Sequence, residues 1–149
     1  MAAFFRSIDT ILWGRKTYDL ASRMDGKGAG FGPKVKNYVF THHPSPSPPP
    51  DIEFINEPIS AFAKRLRSTP GKDIWMMGGA GIIGSFLDEG EIDEFIIHVI
   101  PTFIGEGIPL VQPRHRNVAL TLKSVRRFTD GVARLHYAVK HESARRKGQ

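Results

Sequence analysis

The sequence predicts an α/β fold in which a mixed, mostly parallel sheet is flanked by helices and closed by a C-terminal antiparallel hairpin. Three observations predict it. Short apolar runs of β-prone residues alternate with helix-forming segments along most of the chain. Glycine-rich or polar turns follow several of these runs. The chain then ends in two strand-like runs joined by Asp130 and Gly131, a pair that favours a tight turn.

Length and composition indicate an ordinary globular protein. The chain has 149 residues, of which 40% are hydrophobic and 24% are charged, values typical of one soluble domain. We assign residues 1–140 to that domain and residues 141–149 to a basic tail. No apolar run reaches the roughly 18–20 residues that a membrane span needs, and the opening residues do not form a secretory signal. We therefore expect a cytoplasmic protein without a membrane partner.

Charge and metal-binding residue types narrow the function classes. The net charge of +6 is compatible with nucleic acid, an anionic small ligand or a solvated basic tail. The tail carries Arg145, Arg146 and Lys147. Cationic residues elsewhere are not interleaved with aromatic ones, which disfavours nucleic acid. There is no cysteine, and the six histidines lack metal-ligand spacing, so we expect no metal.

The first half of the chain is predicted to contain three strands and two helices. A strand in TILW ends at Gly14 and is followed by a helix in RKTYDLASRM. DGKGAGFGPK is a loop, KNYVFT is a strand, HHPSPSPPP is a surface loop and IEFI is a short strand. Asn56 then caps a helix with Pro58 in its first turn. The buried stripe of this helix is Ile59, Phe62, Ala63 and Leu66.

The second half continues the alternation and ends in the hairpin. TPGKD ends the preceding helix, and DIWMM follows as a fully buried strand. GIIGSFLDEG is a short helix closed by Gly90, and EFIIHVI is another buried strand, which carries His98. The hairpin strands are LTLKSVRRF and VARLHYAVK. The second of them alternates apolar and polar residues, as a half-buried strand does.

The stretch IWMMGGAGIIGSFL places four glycines in seven positions between a strand and a helix. Glycine in a regular element costs roughly 0.5–1 kcal/mol relative to alanine, so this concentration needs a reason. Gly79, Gly81 and Gly84 match the Gly-x-Gly-x-x-Gly pattern of a Rossmann dinucleotide site. However, the acidic residue expected after the next strand is absent, and too little chain follows for the remaining units of that fold.

Two other interpretations of these glycines remain open. In the first, the adjacent Gly78 and Gly79 turn the chain sharply so that the backbone lies against a flat ligand. The helix that follows then meets an anion with the amides of its first turn. In the second interpretation, the glycines only allow the strand and the helix to pack closely.

Two further segments suggest anion binding near the same turn. Gly14-Arg15-Lys16-Thr17 combines amides, two cationic side chains and a hydroxyl at a strand-to-helix turn. Thr41-His42-His43 also follows a strand. Each alone has a structural explanation, as a solvated first helical turn or as exposed loop residues. Together with the glycine-rich turn they follow strands at their carboxyl ends, where open sheets bind ligands.

Four stretches of the sequence resemble the dihydrofolate-reductase-like superfamily. They are DTILWGRKTYDLA, YVFTHHP, DIWMMGGAGIIGSFLDEGEIDEFIIHVIPTFIGEGIPLV and the closing hairpin. The phrase PTFIGEGIPL, from Pro101 to Leu110, is most similar to the branch that contains the reductase of bacterial riboflavin biosynthesis, the C-terminal domain of a bifunctional deaminase-reductase. The resemblance implies a three-layer fold and covers nearly the whole chain apart from the tail.

The resemblance also implies an NADPH-dependent reductase. In such proteins one turn holds the cofactor pyrophosphate and a second contacts the 2′-phosphate of the adenosine ribose. A third carries a cis Gly-Gly peptide beside the nicotinamide and opens a helix on the phosphates. The corresponding residues are Gly14, Arg15, Lys16 and Thr17 for the first turn, Thr41, His42 and His43 for the second, and Gly78, Gly79, Ala80, Gly81, Ile82 and Ile83 for the third.

Two features separate the chain from dihydrofolate reductases proper. Ile83 and His98 stand where those enzymes carry a tyrosine and a threonine, so the resemblance does not favour folate. In addition, AAFFRSIDT matches the end of the family's first helix, so the family's first strand, loop and most of that helix lack a counterpart. That strand is central in the family's sheet, and we expect its loss to expose unpaired strand edges and apolar surface. Either the start is truncated, or a partner chain or a rearranged strand fills the gap.

The function that follows is hydride transfer from NADPH to a small heterocyclic, ribosylamino-pyrimidine or pterin-like substrate. No catalytic residue is assigned. Asp9 is predicted to be a helix-end or turn residue, Glu106 lies in a loop that is a candidate only for the rim of the substrate site, and His98 is predicted to lie in the core. The alternative is a catalytically inactive module for nucleotide binding or oligomerisation. A homodimer is the candidate assembly.

Overall fold

The structure is a computed structural model that describes residues 2–25 and 35–141. The chain forms two compact units. The first spans the residues up to 85 together with 109–113, and the second spans 86–108 together with the residues from 114 onward. Most of the predicted loop DGKGAGFGPK, and the basic tail after residue 141, lie outside the described residues. Within the described ranges, no helix is both long and apolar enough to cross a membrane.

The first unit contains a four-stranded parallel sheet in the order β3-β2-β1-β4. Its strands are β1 Ile8–Gly14, β2 Lys36–Phe40, β3 Ile52–Ile55 and β4 Asp73–Gly78. The helices are α1 Ala2–Ser7, α2 Arg15–Asp25, α3 Ile59–Arg67 and α4 Ala80–Asp88, the last of which ends in the second unit. The strands and helices predicted for this part of the sequence are therefore confirmed.

Strand β1 is a central, buried strand of this sheet because its residues are apolar on both faces. Ile11 and Trp13 are almost completely buried. The indole Nε1 of Trp13 donates a 3.0 Å hydrogen bond to Oδ1 of Asn37, so both buried polar groups are satisfied. Tyr18 of α2 packs edge-on against Trp13. These contacts fix the end of β1, and with it the turn that begins at Gly14.

The second unit contains a three-stranded antiparallel sheet in the order β5-β7-β6, with β5 Glu94–Val99, β6 Leu120–Arg127 and β7 Ala133–Val139. The predicted hairpin is β6 and β7, but its turn is not of the two-residue type. The N–H of Phe128 donates to the carbonyl oxygen of Val132, and the N–H of Gly131 donates to that of Phe128, which leaves residues 129–131 in the loop. Gly131 has a φ of +86°, the left-handed conformation that such loops require.

The parallel and antiparallel strands form two sheets rather than one mixed sheet. Within the described residues, no strand pairs with the second edge of β4 or of β5. The unpaired edges and the exposed apolar surface that we expected are both present. Large apolar residues exposed in the second unit are Ile96, Val99, Ile100, Phe103, Ile104, Ile108, Leu120, Leu122 and Val125.

The four outer strands differ in how well they are protected from further pairing. β3 has only four residues, and its Glu53 carboxylate lies 3.9 Å from the guanidinium of Arg65. β6 carries three basic residues and an irregular register. Short length, charge and irregular register all discourage pairing with another chain. β4 and β5 lack this protection, because their central residues are apolar.

Burial differs from the sequence prediction in three strands. β4 and β5 were predicted to be fully buried, but Ile74 is 41% exposed and His98 lies at the surface. Each of these strands has an unpaired edge, which explains the exposure. β7, the central strand of its sheet, is half-buried along its whole length and does not show the predicted alternation.

The start of α3 also differs from the prediction. Pro58 is the N-cap residue, and no side chain bonds to the first amides of the helix. Instead of capping this helix, the side-chain oxygen of Asn56 lies 3.1 Å from Nδ1 of His42, in the loop after β2. The predicted apolar stripe is confirmed at its centre, where Phe62 and Ala63 are buried.

Asp9 links the start of β1 to the loop before β4. Its Oδ2 accepts a 2.8 Å hydrogen bond from the backbone N–H of Lys72, and its Oδ1 accepts one of 2.9 Å from the hydroxyl of Thr10. The Lys72 amide is the main reason why the pKa of Asp9 lies below its usual value, and it outweighs the opposing effect of burial. Asp9 therefore has a structural role, but as the second residue of β1, at the end opposite to Gly14, and not as the helix-end or turn residue that the sequence predicts.

Substituting Asp9 with asparagine is expected to lower the free energy of unfolding at neutral pH by about 1 kcal/mol, because a charge-assisted hydrogen bond is replaced by a neutral one. The folded-state pKa of Asp9 is lower than its unfolded value. Its stabilisation is therefore complete above the unfolded pKa and is lost as the pH falls through the folded pKa. Urea unfolding of wild type and Asp9→Asn should converge in this acidic range.

Asp51→Asn is a matched control, because Asp51 is exposed in the loop before β3. It should unfold as wild type does at every pH. A difference between wild type and Asp9→Asn that stays constant from neutral to acidic pH would contradict the role assigned to Asp9.

Candidate functional site

Three turns lie at the carboxyl end of the parallel sheet. β1 ends at Gly14, β2 at Phe40 and β4 at Gly78. Gly14 is paired with Phe40, and Trp13 is paired with Gly78, so these three neighbouring strands end at the same level. The residues that follow them are therefore presented together, at the end of the sheet where α/β proteins bind ligands.

The first and third turns pack directly against each other. A β-carbon at Gly14 would lie 3.2 Å from Cγ2 of Ile82 and 3.5 Å from the carbonyl oxygen of Gly78. A β-carbon at Gly79 would lie 3.0 Å from Oγ1 of Thr17. Protein interiors leave little room for such contacts to relax. Close packing therefore accounts for the glycines at positions 14 and 79.

The Gly78-Gly79 turn has a different geometry from the one that the resemblance implies. No cis peptide bond occurs among the described residues, so the expected cis bond between Gly78 and Gly79 is not found. The chain turns instead through φ angles of +133° and +107°, which favour glycine. Gly78 has little accessible surface, yet a β-carbon there would meet no atom within 4 Å. Gly78 therefore leaves room beside its backbone that Gly79 does not.

Arg15 joins the first turn to the second. Its Nη1 donates a 3.0 Å hydrogen bond to the carbonyl oxygen of His43. Its Nε donates to both carboxylate oxygens of Asp19, at 2.9 and 3.0 Å, one helical turn further along α2. The guanidinium carbon lies 5.1 Å from the centre of the Phe54 ring. These contacts hold the guanidinium at the level where the strands end.

The second turn, Thr41-His42-His43, is ordered by its own hydrogen bonds. The N–H of Thr41 donates to the carbonyl oxygen of Ile55 at 3.0 Å, and the hydroxyl of Thr41 accepts from the N–H of His43 at 3.0 Å. Nδ1 of His42 lies 3.1 Å from Oδ1 of Asn56. Both histidines are exposed. Two imidazole groups are therefore held at the surface beside the first turn.

The third turn leads directly into α4. The N–H of Ile83 donates to the carbonyl oxygen of Gly79 at 3.0 Å and closes the first helical turn. The amides at the start of a helix have no carbonyl partner within the helix and carry partial positive charge. Those of Ala80, Gly81 and Ile82 therefore lie at the level of the strand ends, together with the other two turns.

All thirteen residues predicted to bind a cofactor thus lie in the first unit, on the turns after β1, β2 and β4. They provide helix-start amides, the guanidinium of Arg15, the exposed ammonium of Lys16, hydroxyl groups and two imidazoles. Such a set suits an elongated anion with more than one phosphate. Among residues 2–25 and 35–141, no three histidine or carboxylate side chains are grouped so that they could hold a metal ion.

Three residues that support the site were not predicted from the sequence. Asp19 holds Arg15, and its spacing of four residues along a predicted helix is a signal that could have revealed the pair. Asn56 holds His42, and it also directly follows a strand at the carboxyl end of the sheet. Phe54 lies beneath Arg15, but no local pattern predicts this contact because it depends on the pairing of β2 with β3.

Comparison with known protein families shows a match to the RibD C-terminal domain over residues 55–134. Among curated proteins, the uncharacterized protein YwjB of Bacillus subtilis is 38% identical over 135 residues, which cover 90% of this chain and 75% of YwjB. The matched family region includes the third turn, and the similarity to YwjB extends over most of the chain.

Solved structures with the same fold belong to proteins of related description. A candidate riboflavin biosynthesis protein of Shewanella sp. PV-4 is similar with a TM-score of 0.81 at 19% identity, over 95% of this chain and 79% of that chain. A diaminohydroxyphosphoribosylaminopyrimidine deaminase/5-amino-6-(5-phosphoribosylamino)uracil reductase of Thermotoga maritima is similar with a TM-score of 0.64 at 14% identity, over 89% of this chain and 46% of that chain. At these identities the likeness concerns the fold.

Substituting Gly79 with alanine is expected to destabilise the protein more than substituting Gly78. A side chain at either positive φ costs about 1–3 kcal/mol, but only at Gly79 would it also come within 3.0 Å of the Thr17 hydroxyl. Urea unfolding of Gly78→Ala and Gly79→Ala measures the difference. Adding Thr17→Ala should reduce the loss caused by Gly79→Ala, and equal losses in the presence and absence of Thr17 would contradict the contact.

Proposed function

Because the chain belongs to the RibD C-terminal domain family, we propose that it is an NADPH-dependent reductase of a small heterocyclic substrate. The observation that carries this proposal is the common level of three strand ends, whose turns supply cations, hydroxyl groups and helix-start amides. Dinucleotides bind across the carboxyl ends of strands in α/β proteins. The likeness to the Thermotoga maritima protein, whose description includes a reductase, supports the proposal through the fold.

The first and third turns bind the cofactor pyrophosphate in this proposal. The amides of Gly14 to Thr17 and of the first turn of α4 donate hydrogen bonds to phosphate oxygens, and Lys16 adds a positive charge. Gly79 allows the two turns to approach closely. A β-carbon at Gly78 would meet no atom within 4 Å, so this position leaves room for the flat nicotinamide ring.

The second turn and Arg15 bind the 2′-phosphate of the adenosine ribose. The guanidinium is already held by Asp19 and Phe54 beside the carbonyl oxygen of His43, so little side-chain entropy is lost when it meets the phosphate. The exposed imidazole of His42 adds a further hydrogen-bonding group. NADH lacks this phosphate, so these residues favour NADPH.

The proposed reaction is reduction of a C=N or C=O bond, in which the carbon receives a hydride and the nitrogen or oxygen receives a proton from solvent water. When bound, NADPH supplies the hydride. The chain binds and orients the cofactor through the three turns and fixes which side of the Gly78-Gly79 backbone the nicotinamide faces. The proposed substrate class is a ribosylamino-pyrimidine or a pterin-like heterocycle, the first of which appears in the description of the Thermotoga maritima protein.

The alternative is a nucleotide-binding module without catalytic activity. The positions of the two acids that the sequence offered favour it. Asp9 lies at the opposite end of β1 and accepts the Lys72 amide. Glu106 is exposed in a loop of the second unit. This alternative retains cofactor binding and lacks turnover.

NADPH is expected to quench the fluorescence of Trp13 and Trp75 and to bind more tightly than NADH. Arg15→Gln should weaken NADPH binding by roughly ten- to a hundred-fold, the effect of losing one charge-assisted hydrogen bond. It should leave NADH binding nearly unchanged, because NADH carries no 2′-phosphate. Quenching titrations with both cofactors give the four dissociation constants.

Arg23→Gln is the matched control, because it removes the same charge from the exposed last turn of α2. It should bind both cofactors as wild type does. Equal losses of NADH and NADPH affinity in Arg15→Gln would contradict the 2′-phosphate contact, and an absence of quenching at millimolar NADPH would contradict the whole site.

Turnover separates the reductase from the inactive module. NADPH oxidation is followed by absorbance with pyrimidine ribosylamines, pterins and simple carbonyl compounds. A reductase should show saturable oxidation with at least one of these classes, and Gly78→Ala should reduce it because the added methyl group occupies the room beside the backbone. Cofactor binding without oxidation across the whole panel would support the inactive module.

A further inference from the structure

The antiparallel sheet aligns three basic side chains in one row. His98 of β5 is paired with Arg134 of β7, and Arg134 is paired with Arg126 of β6. Residues directly opposite each other in antiparallel strands share a face, with β-carbons about 4.5–5.5 Å apart. The three side chains therefore form a continuous row across one face of the second unit. We refer to them as the basic row.

Within residues 2–25 and 35–141, the two arginines of this row have no acidic partner. Among the described residues, neither Arg126 nor Arg134 forms an ion pair with an acid, although the same unit uses its acids elsewhere. Glu94 accepts hydrogen bonds from Lys123 and from His136. Both bonds lower the pKa of Glu94, and the bond from Lys123 has the larger effect. Like charges directly opposite in a sheet are destabilising. A bound anion would therefore reduce the repulsion between the members of the basic row.

The ring of Phe128 contacts two members of the basic row and leaves their charge uncompensated. The guanidinium carbon of Arg126 lies 4.9 Å from the centre of the Phe128 ring. The ring of His98 lies 6.1 Å from the same ring. A guanidinium that stacks on an aromatic ring keeps its N–H donors available in its own plane. Arg126 is therefore held by an aromatic contact, which leaves its N–H donors available. An acidic partner would have occupied them.

From this arrangement we infer that the basic row binds the phosphate group of a small molecule. A phosphate dianion matches the charge of two arginines and offers oxygens for the paired N–H donors of a guanidinium. The row crosses the sheet rather than following a long path, and neighbouring Arg127 lies on the opposite face. A nucleic acid, which needs a track of many phosphate contacts, fits this short row less well. The basic row belongs to the second unit and uses none of the residues of the proposed dinucleotide site.

The test measures binding of inorganic phosphate, pyrophosphate and ribose 5-phosphate to the full chain by calorimetry at constant ionic strength. Arg126→Gln/Arg134→Gln is compared with Arg127→Gln, which removes a neighbouring charge from the other face. Wild type and Arg127→Gln should bind with the same dissociation constant, and the double variant should bind at least roughly ten-fold more weakly. Tighter binding of the sugar phosphate identifies an ester as the ligand, and equal binding identifies the free ion.

Four results would overturn the inference. The first is equal binding by wild type and the double variant, with circular dichroism showing that the variant is folded. The second is an equal loss in Arg127→Gln, which would indicate diffuse surface charge. The third is binding that persists in the double variant and disappears in Arg15→Gln, because it would belong to the dinucleotide site. If the double variant does not fold, Arg134→Gln alone provides the comparison. Tighter, length-dependent binding of an oligonucleotide would also replace the small-molecule ligand.

Discussion

The parallel pairing of β1 with β2 and β4 is the constraint on which the candidate site depends. It brings Gly14, Phe40 and Gly78 to one level, although they are far apart in the chain. The buried hydrogen bond between Trp13 and Asn37 joins β1 to β2 just before this level. A shift in this pairing would separate the guanidinium of Arg15 from the second turn, whatever the individual turns did. The chemistry of the site is therefore set by sheet register more than by any single loop.

The glycines of the site serve two purposes that sequence analysis treated as alternatives. At Gly14 and Gly79 a β-carbon would lie only 3.2 Å and 3.0 Å from its nearest neighbouring atom, so both positions favour glycine through close packing. Gly78 is different, because the corresponding position is empty to 4 Å. Close packing and open space beside the backbone are thus divided between adjacent residues. Gly79 gives the turn its shape, and Gly78 determines how much space is left beside the backbone.

Local patterns predicted most of the strands and helices, and the candidate site residues lie on turns that follow predicted strands, since each strand-to-helix turn is encoded within a few residues. They did not predict how Arg15 is held, because Phe54 reaches it only through the pairing of β2 with β3. Asn56 has the local signature of a helix cap but is used by His42. The burial of β4 and β5 was overestimated for a similar reason. An apolar sequence shows what a strand can bury, whereas the presence of a neighbouring strand decides whether it does.

The outer strands β4 and β5 have a practical consequence for work with this chain. Each has a row of backbone N–H and C=O groups that no described strand pairs with, and each is flanked by apolar side chains such as Ile74 and Ile96. β3 and β6 are poor templates by comparison. At high concentration, lattices or filaments of this chain should therefore grow by continuing the sheets beyond β4 or β5. The contacts beside these two strands are the first to inspect in any crystal.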